Sequence, residues 1–193
     1  MPRAGLTPSR VVAEGADLAD EVGLDRLTLA AVASRLGVRL PSLYKHVAGL
    51  DALRQGLAVQ ALHELAQALS AATVGRSRYD ALAPMAAAYR DYARAHPGRY
   101  AATLRAPDPT ADAHAEAARA VLTIVLSVLA GYGLTGDRAI DATRALRSAL
   151  HGFVSLEAGG GFALDRDAAE SFTAMVADLD RAFSATPELA GEH

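Results

Sequence analysis

The stretch GVRLPSLYKHVAGL, residues 37–50, contains the side chains best suited to binding a polyanion. It includes Lys45, which is the one lysine of the chain. Every formal charge between residues 35 and 46 is positive, so the stretch is a local basic cluster in a chain of net charge −3. Cationic, hydroxyl and apolar side chains together can contact phosphates, guanine edges and thymine methyl groups. The polar members of this group are Arg39, Ser42, Tyr44, Lys45 and His46.

The composition favours a helical protein with a sizeable core. Of the 193 residues 51% are hydrophobic, which is enough to bury a core and argues against disorder. Alanine is very frequent, and alanine, leucine, arginine and glutamate favour helices. The chain has no cysteine, so disulfide and thiolate chemistry are excluded. We expect no metal or other cofactor, because the histidines are scattered and no HExxH pattern occurs.

No segment of the sequence predicts export or membrane insertion. The first ten residues contain no apolar signal region, so we expect a cytoplasmic protein. The longest apolar run, residues 120–134, is shorter than the roughly 18–20 residues of a membrane-spanning helix and is interrupted by glycine. This run predicts a buried core helix rather than a contact with a membrane.

Cap signals and apolar spacing predict the helices that position the basic cluster. Thr7 and Thr28 are candidate N-caps, and Gly23 and Gly37 are candidate helix ends. The patterns predict helices over about 8–22, 29–36, 39–47, 50–75, 79–95, 99–105, 111–132, 137–158 and 167–185.

A helix, a turn with glycine and a short exposed helix form the helix-turn-helix layout of DNA-binding proteins. Here the turn is at Gly37, and Leu43 is the inward residue of the short helix. The same spacing also fits a solvated basic face on an ordinary helical bundle, and both interpretations stay open on pattern alone. The outward positions are Arg39, Leu40, Pro41, Ser42 and Lys45.

The segment LTLAAVASRLGVRLPSLYKHVAGLDALRQGLA resembles the DNA-binding domain of the TetR family of repressors. The resemblance implies that Arg39, Leu40, Pro41, Ser42 and Lys45 reach the major groove, and that Thr28, Tyr44 and His46 contact phosphates. For Tyr44 and His46, packing against neighbouring helices is the alternative. One departure is that the family usually has a lysine at the start of the fourth helix, where this chain has Ala48-Gly49-Leu50-Asp51.

The resemblance also implies that the C-terminal helices bind an effector and form a homodimer. The pair His151-Gly152 resembles a mark of one subgroup of C-terminal domains, although the tryptophan often found nearby is absent. The candidate effector-binding residues are Tyr89, Tyr92, His96, Leu104, Leu122, Leu126 and His151. The candidate dimer residues are Leu146, Leu150, Phe153, Val154, Phe172, Met175, Leu179 and Phe183. For each of these positions, a place in the core of the monomer is the alternative.

A second motif points to a different class of protein. GYGLTG, residues 131–136, matches the glycine pattern of dinucleotide-binding loops, and Glu157 follows at a suitable distance for a ribose contact. However, the preceding residues look like a continuous helix rather than a strand. A helix end followed by a loop is the simpler interpretation, and no other motif favours an enzyme.

These observations combine into one prediction. We expect an all-α protein of about nine helices, with a three-helix helix-turn-helix domain over 1–47 and a helical ligand-binding and dimerisation domain over 48–193. Its predicted function is repression of transcription as a homodimer on a pseudo-palindromic double-stranded DNA operator. Release is predicted to follow binding of a small apolar or aromatic effector. The alternatives are a helical small-molecule-binding protein without specific DNA binding, and a nucleotide-binding enzyme.

Overall fold

The computed structural model describes residues 5–105 and 112–185, and within these ranges the secondary structure is entirely helical. A short 3-10 helix, Leu24–Arg26, follows the first of the α-helices. The predicted all-α class is therefore confirmed. The helices are α1 (Pro8–Val22), α2 (Leu29–Arg35), α3 (Leu40–Leu43), α4 (Leu50–Thr73), α5 (Tyr79–Ala95), α6 (Pro97–Thr103), α7 (Asp112–Ala130), α8 (Gly136–Ala158) and α9 (Ala168–Ser184).

Threonine side chains cap the first two helices, as the sequence predicts. The Thr7 hydroxyl accepts a hydrogen bond from the Arg10 amide, and the Thr28 hydroxyl accepts one from the Ala31 amide, both at 3.2 Å. Gly37 adopts φ +66° in the turn after α2, a conformation that most other residues avoid. The chain can therefore reverse there and begin α3 within three residues.

α3 is shorter than the predicted helix over 39–47. It covers four residues, and residues 44–46 form a turn instead. The His46 and Val47 amides both donate to the Leu43 carbonyl, at 2.8 and 3.0 Å. This pattern tightens the chain into a turn and ends the helix.

The described residues divide into two compact units. The first contains residues up to 66 together with 95–121, and the second contains 67–94 together with the residues from 122 onward. Within the first unit, α1, α2, α3, the start of α4 and α6 share one hydrophobic core. Its fully or almost fully buried members include Val11, Ala16, Leu27, Val32, Leu43, Leu53, Leu57 and Ala102.

α6 lies directly against the backbone of α1. A Cβ atom added to Gly98 would be 2.1 Å from the carbonyl carbon and oxygen of Ala19, so only glycine fits at this position. The next residue, Arg99, forms ion pairs with Asp17 and with Asp20, whose Oδ2 is 3.0 Å from its Nη1. The Asp20 carboxylate also accepts a hydrogen bond from the Arg99 amide at 2.9 Å. Contact between backbones and charge pairing together fix α6 on α1.

Aromatic and ionic contacts hold the second unit together. Arg90 pairs with Glu157, with Nε 2.9 Å from Oε2, and this bond lowers the pKa of the Glu157 carboxyl. The Arg90 guanidinium also lies over the rings of Phe153 and Phe172, which meet edge-to-face at 5.0 Å. Separately, the Tyr132 hydroxyl donates to Asp180 at 2.6 Å; burial and this bond raise the pKa of Tyr132.

α7 departs from the expected buried core helix. Among the described residues it is the one helix long and apolar enough to cross a membrane, a weak indication because core helices pass the same test. Only 22% of its most apolar window is buried. Val128 and Leu129 are buried, whereas Leu122 is 42% exposed. The sequence predicts the apolar character of this helix correctly but not its degree of burial.

The contact between Gly98 and Ala19 generates a prediction for stability. Gly98→Ala should lower the free energy of unfolding by about 3 kcal/mol, because the added methyl group overlaps backbone atoms that cannot move aside. Urea denaturation measures this change. Gly152→Ala is the matched control, since its Cβ would meet no atom within 4 Å. The control should be neutral or stabilising by up to about 1 kcal/mol, because alanine favours the helix more than glycine does. Equal effects for the two variants would contradict the packing argument.

Candidate nucleic-acid interface

The orientation of α3 depends on Leu43. This side chain is completely buried in the core of the first unit, and Val47 is 9% exposed beside it. A helix of four residues has little stability of its own, so packing of these two residues decides which side faces outward. Leu43 is the inward residue that the spacing predicts.

The predicted base-reading residues around α3 differ in their exposure to solvent. Arg39, Pro41 and Lys45 are exposed, whereas Leu40 and Ser42 are half-buried. Leu40 also packs partly against the core. Among the described residues, neither Arg39 nor Lys45 forms an ion pair. Both positive charges are therefore available to an anionic partner.

The predicted phosphate-binding residues lie around this face. Tyr44 is 56% exposed, which argues against the alternative that it packs between helices. His46 is half-buried, and Thr28 is exposed at the start of α2. The Thr28 oxygen accepts the capping bond, so its hydroxyl proton can still be donated to an outside acceptor. A phosphate oxygen is such an acceptor.

Arg35 does not belong to the available charge of the basic cluster. Its guanidinium lies 2.7 Å from Glu14 Oε1 and 2.6 Å from Glu21 Oε2, and both carboxylates belong to α1. The bond with Arg35 lowers the pKa of Glu21. Sequence spacing did not reveal these pairs because the partners are 21 and 14 residues away along the chain. Arg35 thus joins α2 to α1, which leaves Arg39 and Lys45 as the outward cations.

The glycine motif at 131–136 is not a dinucleotide-binding loop. It begins directly after α7 and leads into α8, and the described residues contain no strand that could precede it. A Cβ on Gly131 would be 2.6 Å from the Ser77 hydroxyl oxygen, so close packing accounts for this glycine. Glu157, the candidate ribose contact, pairs with Arg90 instead. The dinucleotide-binding alternative is therefore wrong. In the described part of the chain, no three His, Asp or Glu side chains converge as a metal site would require.

The candidate effector-binding residues belong to both units. Tyr89, Tyr92, Leu122, Leu126 and His151 belong to the second, and His96 and Leu104 belong to the first. His96 lies 3.1 Å from Asp20 Oδ2, so it takes part in the charge cluster of α1 and α6. Leu104, 40% exposed, lines an open groove of 510 Å³ with Leu24, Pro97 and Ala101. The assignment of these residues to an effector stays a prediction.

The candidate dimer residues are mostly buried within the single chain. This group of six comprises Leu146, Leu150, Phe153, Val154, Phe172 and Phe183. Met175 and Leu179 are half-buried, so these two retain surface that a second subunit could cover. The six buried residues serve the core of the second unit, which is the alternative that the sequence left open. Their role in dimerisation stays a prediction.

In the described residues, α2 packs one side on the core, a turn with glycine follows, and the short α3 is flanked by exposed cations that form no ion pair. This is the helix-turn-helix layout of DNA-binding proteins. Comparison with known proteins supports this class of protein. Residues 82–179 match the family model described as "Tetracyclin repressor-like, C-terminal domain". The HTH-type transcriptional regulator Rv0681 of Mycobacterium tuberculosis is 41% identical over 181 residues, which are 91% of this chain and 81% of the relative.

Two further relatives extend the similarity. The HTH-type transcriptional regulator YobS of Bacillus subtilis is 37% identical over 174 residues, covering 89% of this chain and 90% of the relative. A solved structure of a TetR variant from Acinetobacter baumannii AYE, in complex with minocycline, has a TM-score of 0.69 and 25% identity. That match covers 93% of this chain and 97% of the other. The chain belongs to the TetR family of transcriptional regulators.

The two capping threonines allow the structural and the DNA-binding roles of Thr28 to be separated. Thr28→Ala and Thr7→Ala should each lower the free energy of unfolding by about 1 kcal/mol, because each removes an equivalent capping bond. Urea denaturation measures this effect. Only Thr28→Ala should also weaken binding to operator DNA. Thr28→Ser keeps the hydroxyl group and should retain both the stability and the DNA affinity of the wild type. If Thr7→Ala weakened DNA binding as much as Thr28→Ala did, the phosphate contact would be ruled out in favour of a stability effect.

Proposed function

We propose that this regulator represses transcription as a homodimer that binds a pseudo-palindromic operator and releases it when a small apolar or aromatic molecule binds. The observation that supports this proposal best is the exposed surface around α3. There Arg39 and Lys45, on either side of the helix that buries Leu43, form no ion pair with any described residue. Exposed cations of this kind are what direct readout of guanine edges requires. As a regulator acting on chromosomal DNA, it is expected to work in the cytoplasm.

In this proposal the side chains around α3 divide into two classes of contact. Arg39, Pro41 and Lys45, with Leu40 and Ser42 to a smaller degree, contact base edges. Thr28, Tyr44 and His46 contact phosphates and fix the register of α3 on the duplex. The exposure of Tyr44 supports its role, because a packed tyrosine could not reach a phosphate.

A homodimer is expected because one short helix reads too few base pairs for specificity. Two copies of α3, about one helical turn of DNA apart, would read both halves of a palindrome. Met175 and Leu179 on α9 are the predicted dimer residues with remaining surface, and the exposed Leu156 on α8 adds apolar area. A two-fold bundle of α8 and α9 is a geometry that suits such faces.

The effector is proposed to be apolar or aromatic because its candidate binding residues are mostly apolar and tyrosine side chains. Tyr92 is buried, and Tyr89, Leu126 and His151 are half-buried. The A. baumannii TetR variant is described in complex with minocycline, which supports a small-molecule effector for a protein of similar fold. Effector binding would favour a conformation in which the two α3 helices no longer match successive major grooves.

Lys45→Ala tests the proposed reading face directly. If Lys45 contacts a base, operator binding should weaken by about 1–3 kcal/mol. If it contacts phosphate alone, the slope of log affinity against log salt concentration should become shallower by about 1. Fluorescence anisotropy over a salt series, with competitor DNA, measures both quantities. Arg138→Ala removes the same charge from the exposed first turn of α8 and should leave both unchanged. No change with Lys45→Ala would place the residue outside the interface.

The proposed release mechanism predicts reciprocal coupling between effector and operator. A library of apolar aromatic compounds should contain molecules that weaken operator binding about 5- to 150-fold, and the operator should weaken their binding by the same factor. Isothermal titration calorimetry measures the affinity for the compound with and without operator, and the affinity for the operator with and without the compound. If a compound and the operator bound together without opposing each other, release by effector would be the wrong mechanism. Failure of the protein to select any DNA sequence would instead favour the small-molecule-binding alternative.

A further inference from the structure

Lys45 carries the one side-chain amine of the chain. Of the 19 lysine and arginine residues, the remaining 18 are arginines. A primary amine reacts with an activated acyl group once it has lost its proton, whereas the delocalised guanidinium of arginine stays protonated and does not react. Stable acylation of a side-chain nitrogen in this chain is therefore confined to residue 45, which lies on the proposed DNA-binding surface.

The surroundings of Lys45 leave its amine accessible. Lys45 is exposed and belongs to the turn over residues 44–46, directly after α3. Among the described residues it forms neither an ion pair nor a side-chain hydrogen bond. No carboxylate in this part of the structure therefore shields the amine from an incoming molecule.

The basic cluster around Lys45 favours an acyl donor that is itself an anion. Every formal charge between residues 35 and 46 is positive, and of these the charge of Arg35 is compensated by two carboxylates of α1. A local excess of positive charge concentrates small anions for the same reason that it attracts DNA. An acyl phosphate carries its phosphate next to the reactive carbonyl group. Tyr44 and His46, which are proposed to contact DNA phosphates, adjoin Lys45 in the chain, so the same surface can bind the phosphate of the donor near the amine.

We propose that Lys45 is an acylation site, where an acyl phosphate removes positive charge from the DNA-binding surface and lowers its affinity for the operator. This inference rests on the proposed function of operator binding. The lone pair of Lys45 Nζ attacks the acyl carbon, the bond from that carbon to the phosphate oxygen breaks, and inorganic phosphate leaves. The proton that the ammonium group loses passes to solvent. The product is a neutral amide, while Arg39 keeps its charge, so the surface loses one of its two uncompensated cations.

Acetyl phosphate is the probe that tests the proposal on the full chain. Mass spectrometry of the intact protein and of its peptides measures how fast residue 45 is acetylated. Fluorescence anisotropy then measures binding to the duplex that the untreated protein selects from a random-sequence library. Acetylation of Lys45 should weaken this binding at least about five-fold at low salt, because one cation is lost from the interface. Bound duplex should slow the acetylation of Lys45, because DNA and acetyl phosphate use the same surface.

Two variants separate acylation at Lys45 from other effects of acetyl phosphate. Lys45→Arg keeps a positive charge but has no side-chain amine, so acetyl phosphate should leave its operator affinity, whatever its value, unchanged. The double variant Lys45→Arg/Arg138→Lys moves the one side-chain amine to the exposed first turn of α8, where Asp137 and Asp141 are neighbours in the chain. Residue 138 of this variant should be acetylated more slowly than Lys45 of the wild type, and its acetylation should not change the operator affinity.

Two results would overturn the proposal. The first is acetylation of Lys45 that is no faster than acetylation of residue 138 in the double variant, because the basic cluster would then not attract the donor. The second is an unchanged operator affinity after complete acetylation of Lys45. Circular dichroism melting checks that each protein stays folded. If the wild-type protein selects no duplex, the proposed function fails, and the two acetylation rates still test the site itself.

Discussion

Complete burial of Leu43 is the constraint on which the candidate interface depends. α3 covers four residues, which is too short for its backbone hydrogen bonds to hold an orientation. Insertion of Leu43 and Val47 into the core of the first unit turns the helix so that Arg39 and Lys45 face outward. The chemistry of the surface is therefore a consequence of packing beneath it. A polar residue at position 43 would disorder the interface without touching any of its charged groups.

Positively charged side chains in the first unit have two separate roles. Arg35 and Arg99 are occupied in joining helices, the first between α2 and α1 and the second between α6 and α1. Arg39 and Lys45 have no such partners among the described residues. A net charge of −3 is compatible with DNA binding because the acids of α1 are paired with structural arginines. Local exposure of charge, rather than the total, determines where a polyanion is attracted.

α6 is held on α1 by close packing as well as by charge. Its backbone touches that of α1 at Gly98, which leaves no space for sliding between the two helices. Its C-terminal end also places Arg105 Nη2 3.9 Å from Asp51 Oδ1 at the start of α4. α6 is therefore part of the same unit as α2 and α3.

The sequence by itself determined the helices and the inward side of α3. The local signals are the N-caps Thr7 and Thr28, the glycine at 37 and the apolar spacing around Leu43. The local hydrogen bonds and packing in the structure agree with them. The short length of α3 was missed because its last turn is ended by bonds to the Leu43 carbonyl rather than by a breaking residue. Only the tertiary structure decided which arginines are paired, which predicted dimer residues are buried, and how exposed α7 is. Those properties depend on contacts between residues that are far apart in the chain, and periodicity along one helix contains no information about its partners.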